Sequence, residues 1–247
     1  MEYRDLLVTV SRRCRGLDEV ESLDEFKKVF IDIVESHHLT YMKGKVLHRD
    51  ASEGNIMFYR DEEDIAVGLL SDFDNTSRVD EQGDIIGSSM KQRTGTVPFM
   101  ALDILQNVET PVPHLYRHDL ESFVYLLVWS GVHFDLKNGT CREFDPALEC
   151  WDAKLSSEFG RAGSQKRDFW LTKDVTGSIL DHFQPEFNPL KDHWIRPLRA
   201  LFKKGFRLAE DAEGDNIDFE GKTLDGVVTF ESFMHVLGQK PREWGSV

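Results

Sequence analysis

The stretch LESFVYLLVWSGV, residues 120–132, places apolar side chains on every side of a helix drawn through it. Such a helix has no face for water and belongs in the middle of a domain or in a membrane. Its longest unbroken apolar run, FVYLLVW at 123–129, falls far short of the roughly 20 residues a bilayer span needs. A central, enclosed helix is therefore the first constraint on the fold. The remaining chain has the material to enclose it. Its 247 residues are 40% apolar and include 17 Phe and 5 Trp, which supports one large domain and argues against wholesale disorder.

Charge and cysteine content narrow the setting. A net charge of −14 disfavours nucleic acid as a partner, because phosphate backbones require a basic face. Cys14, Cys141 and Cys150 show no metal-ligand spacing, as expected of a reduced intracellular protein of cytosol or nucleus. The opening stretch MEYRDLLVTVSRRCRGL lacks the apolar core of a signal peptide. The protein is expected to be soluble, with no membrane as a partner.

Local patterns outline the other elements. Ser22 and Glu25 form an S-x-x-E capping box, and Phe26, Phe30, Ile33, Val34 and His37 recur on one helical face. Gly44 breaks that pattern next to Lys45. KVLHRD and NIMFY predict short extended pieces around a loop, RDEEDI a charged turn, and AVGLLSDFD a buried strand entering a second loop. Residues 75–96 are polar and hold Gly83, Gly87 and Gly95, the pattern of a long functional loop. Amphipathic segments fill 139–194, with Trp151, Trp170 and Trp194 as core anchors. EDAEGDNIDFEGKTLDG reads as an acidic loop, and TFESFMHVLG as a final short helix. The acidic loop fails as a calcium site, with Asn216 in place of the required Gly and Lys222 in place of Glu. Residues 3–17 fit a strand, a short helix or a ragged end. The pair His37-His38 fits a helix end better than a metal site.

Four patterns then follow one another in order. His48, Arg49, Asp50 and Asn55 stand in H-R-D-x-x-x-x-N. Asp72 opens D-F-D at the end of a strand pattern. Gly95, Thr96, Phe99 and Ala101 form G-T-x-x-F-x-A, followed by Leu102 and Asp103 in place of Pro and Glu. Asp119 opens the enclosed helix as an N-cap would. Any one of these is also an ordinary turn or cap; four in order, with matching loop lengths, are not. The wording LHRDASEGNIM, LLSDFDNT, RTGTVPFMALDIL and HDLESFVYLLVW resembles the fungal-type protein kinases of mushroom-forming fungi. The resemblance covers roughly residues 23–238, the lower helical lobe of a protein kinase-like fold, and implies a mainly α (α+β) C-lobe with short catalytic-loop strands.

That resemblance implies ATP and Mg²⁺ as cofactors and a protein serine or threonine hydroxyl as acceptor. Asp50 would accept or orient the proton of the attacking hydroxyl, while Asn55 and Asp72 would supply oxygen ligands to the nucleotide-bound Mg²⁺. Thr96 would bridge its loop to Asp50. Ser52 stands where many serine/threonine kinases carry a lysine on the transferring phosphate, so that charge must come from elsewhere. Arg49 would receive a phosphorylated activation-loop residue through a charge-assisted fork, with Ser88, Ser89 and Thr94 as candidates. Asp103 is expected to pair with a later arginine, Arg196, Arg199 or Arg207.

Upstream of His48 the only glycines are Gly16 and Gly44, and neither G-x-G-x-x-G nor a V-A-I-K-like strand is present. The expected organisation is a segment 1–22 near the kinase hinge, a C-lobe-only domain over 23–240 and a tail 241–247. Lacking the ATP-gripping lobe, the fragment is expected to be inactive by itself. Its exposed upper face is then left for a protein substrate or partner. Three functions stand open: phosphoryl transfer to protein Ser/Thr in the intact protein, a non-catalytic pseudokinase scaffold, and transfer to a small molecule. Small-molecule phosphotransferases of this superfamily typically carry a small residue beside the aspartate. Arg49 and the G-T-x-x-F-x-A element therefore disfavour the third.

Overall fold

The computed structural model describes residues 13–87, 95–107, 112–153 and 156–242. Ser88, Ser89 and Thr94 lie outside them. Ser22 starts α1 (Leu23–Gly44), its hydroxyl accepting from Glu25 N at 3.1 Å, while the Glu25 carboxylate turns back to Glu21 N at 2.7 Å. The expected apolar face is enclosed, with Phe26, Phe30, Ile33 and Val34 all without exposed surface. Gly44 stays helical. Lys45, at φ 51°, takes the left-handed conformation and ends the helix by donating its N–H to Thr40 O. The His37-His38 pair therefore sits well inside α1 and does not end it.

Three antiparallel strands lie beside α1. They are β1 (Arg15–Gly16) and, after β2 (Val46–Leu47), β3 (Ile56–Arg60) and β4 (Ala66–Leu70), in the order β1-β3-β4. Asp61 closes the charged β3–β4 turn by accepting from Glu63 N and Ile65 N, each at 2.9 Å. β4 runs so close to α1 that a Cβ on Gly68 would sit 2.5 Å from Val29 O, so only glycine fits there. Its amide donates to Asp32 Oδ2 at 3.1 Å. β2 pairs with β5 (Ser77–Arg78), which brings the two loops flanking β3 and β4 together.

α2 (Leu102–Gln106) precedes α3 (Tyr116–His133), the enclosed helix, in which only Tyr116 and Trp129 keep notable exposure. Its walls are aromatic. Phe30 and His37 meet Phe123 edge-on at 6.0 and 5.3 Å between ring centroids, and Trp151 meets Tyr125 at 5.0 Å. Such offset and edge contacts add to the burial term. A small hairpin of β6 (Phe134–Asp135) and β7 (Thr140–Cys141) leads to the remaining helices. These are α4 (Phe159–Leu171), α5 (Lys173–Asp181), α6 (Asn188–Leu190), α7 (Arg196–Asp215) and α8 (Phe230–Val236). Trp151, Trp170 and Trp194 are buried as core anchors.

The acidic stretch departs from the loop expected of it. Residues 210–215 continue α7, which ends only at Asn216, φ 54°. Its carboxylates form a solvated helix face, where Glu210 meets Arg167 of α4 at 2.5 Å. Otherwise the architecture is the mainly α one expected, with a few short strands. No helix among the described residues is long and apolar enough to cross a membrane.

Candidate active site

Two loops form the site, one after β2 and one after β4. Arg49 and Asp72 both adopt positive φ, 71° and 56°, a conformation that costs a non-glycine residue about 1 kcal/mol and that the surroundings must impose. For Arg49 the imposing group is Asp119, in the first turn of α3. Its fully buried carboxylate accepts from Arg49 N at 3.1 Å, His37 Nε2 at 2.8 Å and His114 Nε2 at 2.8 Å. Burial alone would push the Asp119 carboxyl up, but His114 and His37 hold it well below the usual carboxylate range. Asp119 is thus no N-cap. Leu115 occupies that position, and the aspartate instead fixes the loop backbone.

The two loops are tied to each other through main-chain groups. Ser71 N and Oγ both donate to Asn55 O, at 2.8 and 3.0 Å. His48 Nε2 donates to Ser71 O at 3.0 Å, and its Nδ1 faces Asp50 N at 3.4 Å. Burial lowers the His48 pKa, consistent with the neutral ring those contacts need. Phe73 stands edge-on to His48 at 5.0 Å.

Asp50 ends up with both carboxylate oxygens oriented. Oδ1 accepts from Thr96 N and Thr96 Oγ1, each at 3.0 Å, and Oδ2 accepts from Asn75 Nδ2 at 3.2 Å. Gly95, at φ 118°, lets the 96–99 turn approach: a Cβ there would stand 3.1 Å from Arg49 O. Asn55 donates Nδ2 to Asp50 O at 2.9 Å, which directs its Oδ1 away as the oxygen suited to a hard cation. Asp72 is exposed, and among the described residues its Oδ1 accepts only from Asp74 N, at 3.2 Å. Ser52 is buried and acts through its main chain, donating to Asp50 O at 2.9 Å and accepting from Asn55 N at 3.0 Å.

The structure therefore brings together Asp50, Thr96, Asn55, Ser52 and the Asp72 loop. Arg49 is only 3% exposed and donates through Nη1 to Ser77 Oγ. Its proposed phosphoacceptor partners Ser88, Ser89 and Thr94 lie outside the described residues. Asp103 corrects the sequence reading: its partner is Arg117, with His118 Nε2 at 3.4 Å, and not Arg196, Arg199 or Arg207. Arg196 and Arg199 are engaged elsewhere, on Asp192 and on Phe169 O. Burial works against the Asp103 charge, yet His118 and Arg117 hold its pKa well below the usual range. Asn75, His37 and His114 were not singled out from sequence as site residues. Asn75 was visible as the amide three residues after Asp72; the histidines carried no local signal.

A helical lobe in which an H-R-D loop and a D-F-D loop are bonded around one oriented aspartate defines a protein kinase-like domain. A model of the fungal protein kinase family matches residues 4–130, and the chain belongs to that family. The matched region takes in α1, both loops, the 95–103 segment and most of α3. No curated protein matches the chain.

Proposed function

We propose that this lobe belongs to a protein kinase that moves the γ-phosphoryl group of Mg-ATP to a serine or threonine hydroxyl of a protein. The observation that carries the reading is the Asp50 carboxylate, held on one side by Thr96 and on the other by Asn75. In the step, the acceptor oxygen bonds to phosphorus, the bond from phosphorus to the β–γ bridging oxygen breaks, and ADP leaves with that electron pair. Asp50 orients the hydroxyl and takes its proton. Asn55 Oδ1 and the Asp72 carboxylate are oxygen donors of the kind Mg²⁺ prefers. Two such ligands suit an ion whose remaining positions are filled by phosphate and water. The rest of the charge neutralisation, which Ser52 does not supply, must come from groups outside this lobe. Such a reaction places the protein in cytosol or nucleus, where ATP is abundant.

The expected partner is a protein, either substrate or a chain covering the exposed Leu69 of β4 and Ile65 just before that strand. Asp50→Asn in the longest natural form of the protein tests the reading, with Mg-ATP and mixed protein acceptors. Transfer is expected to fall by at least about 100-fold, the typical scale for a positioned acid–base group. An unchanged rate would remove Asp50 from the chemistry. No transfer even by the unaltered protein would favour the scaffold function instead.

A further inference from the structure

Lys166 of α4 has no exposed surface, an unusual place for an ammonium-bearing side chain. Its Nζ donates to Val97 O at 2.9 Å and to Met100 O at 2.7 Å. It also lies 4.0 Å above the centre of the Tyr125 ring. Burying such a group is costly unless its hydrogen bonds are satisfied. Here two carbonyls and an aromatic face satisfy them, and an amine or an ammonium serves equally well as the double donor.

Those carbonyls bracket the turn that also carries Thr96 onto Asp50. Phe99 in the same turn meets Trp129 at 5.5 Å, and Trp129 Nε1 donates to Glu53 Oε2, back on the catalytic loop, at 2.8 Å. At the far end Leu102 N donates to Glu121 Oε1 at 2.9 Å. Glu121 is fully buried, and among the described residues its Oε2 has no hydrogen-bond partner. The 96–102 segment is therefore held by a buried lysine side chain at its carbonyls and a buried carboxylic side chain at its amide. Neither was legible as functional in the sequence, and Lys166 lies beyond the matched residues 4–130.

We infer that Lys166 is a positioning residue for the acceptor side of the site: it fixes the 96–100 turn so that Thr96 holds Asp50 in register with the incoming hydroxyl. The inference rests on the kinase reading for its purpose, but not for its geometry.

Amide hydrogen exchange on the full chain tests the geometry. Lys166→Met keeps the length of the side chain and removes both donors. The Thr96, Phe99 and Met100 amides should then exchange about tenfold faster or more, while the α3 core amides of Val124 to Val128 stay within about twofold. Lys166→Gln, which keeps a neutral donor, should recover part of the protection and serves as the test if the Met variant does not fold. Equal acceleration throughout α3 would make Lys166 a core residue only, and an unchanged Thr96 amide would remove its contact from the site; either result overturns the inference. In the longest natural form, Lys166→Met should lower kcat/KM for the protein acceptor and leave the KM for ATP unchanged. If the unaltered protein transfers no phosphate, the kinase reading fails while the exchange result still decides whether Lys166 fixes the turn.

Discussion

The two carboxylates at the centre of the site are held very differently. Asp50 is bonded through both oxygens by residues from two other segments, and its loop is anchored beneath by Asp119. Among the described residues Asp72 receives one hydrogen bond, from two residues away, and its neighbour Phe73 is 43% exposed. The side of the site that would meet the acceptor hydroxyl under the proposed function is preorganised within this lobe. The side that would meet metal and phosphate under that proposal is more open among the described residues. Preorganisation of the first kind is what lets a carboxylate act without reorganising at the moment of reaction, whereas a magnesium ligand gains its geometry from the ion and nucleotide it joins.

The contrast breaks most severely at Asp119. Asp119→Ala leaves His37, His114 and the Arg49 amide buried without their acceptor. The full chain should lose about 3–5 kcal/mol of unfolding free energy, the usual cost of removing one partner from a buried charged network. A lower urea midpoint at an unchanged m-value reads that loss. A change below about 1 kcal/mol, the ordinary level for a substitution without a special mechanism, would mean that the acceptor side is not built on this carboxylate.

A second, pH-dependent effect concerns Glu121. Burial, with Asp103 adding to it, pushes its pKa up to about 7 from the ordinary 4.5. In that window the unfolded chain has released a proton that the folded chain keeps. Stability from this group is therefore full below about pH 4.5 and lost as pH rises to about 7. Glu121→Gln mimics the protonated form and should match the parent near pH 4. By pH 7.5 it should be more stable by about 3 kcal/mol, the size of such a shift. His118 works in the opposite direction. Burial, with Arg117 adding to it, lowers its pKa to about 3, so its contribution is lost as pH falls from about 6.5. Urea titrations of parent and variant across that range separate the two, since the His118 contribution is common to both. A constant difference at every pH would show that Glu121 does not titrate there.

The smallest effect belongs to the open side. Asp74→Gly keeps the N–H that meets Asp72 and removes only an exposed side chain. Stability should change by less than about 0.5 kcal/mol, while the Phe73 amide exchanges faster because glycine frees the turn. A large destabilisation would show that the D-F-D turn is as tightly built as the Asp50 loop.

Much of this arrangement was legible in the sequence because it repeats along the chain. The buried face of α1 follows from apolar spacing, the enclosure of α3 from its lack of a polar stripe, and the Asp50–Thr96 and Asn55 contacts from the motifs. What was not legible depends on which distant groups the fold brings together. Asp103 seemed to need a late arginine, but Arg117, in the first turn of the next helix, already pairs with it. Asp119 looked like a cap because of its position, yet its side chain turns inward to the loop. Lys166 carries no signal of its own in the amphipathic stretch 139–194, and only the packed structure shows it enclosed. The acidic run at 210–215 looked like a loop, since clustered carboxylates favour solvent whether or not the backbone is helical.

The Asp119 junction also bears on the order in which the chain can assemble. All its donors and its acceptor lie between residues 37 and 119, so it can close as soon as α1 and the start of α3 have met, before α4 to α8 have been synthesised. The turn on Lys166 must wait for α4. A nascent chain would thus shape the H-R-D loop early and seat Thr96 on Asp50 late, leaving the aspartate incompletely held until the lower helices are in place. The register proposed for Asp50 would arrive only once α4 packs, and a chain ending short of that helix would carry the motif without it.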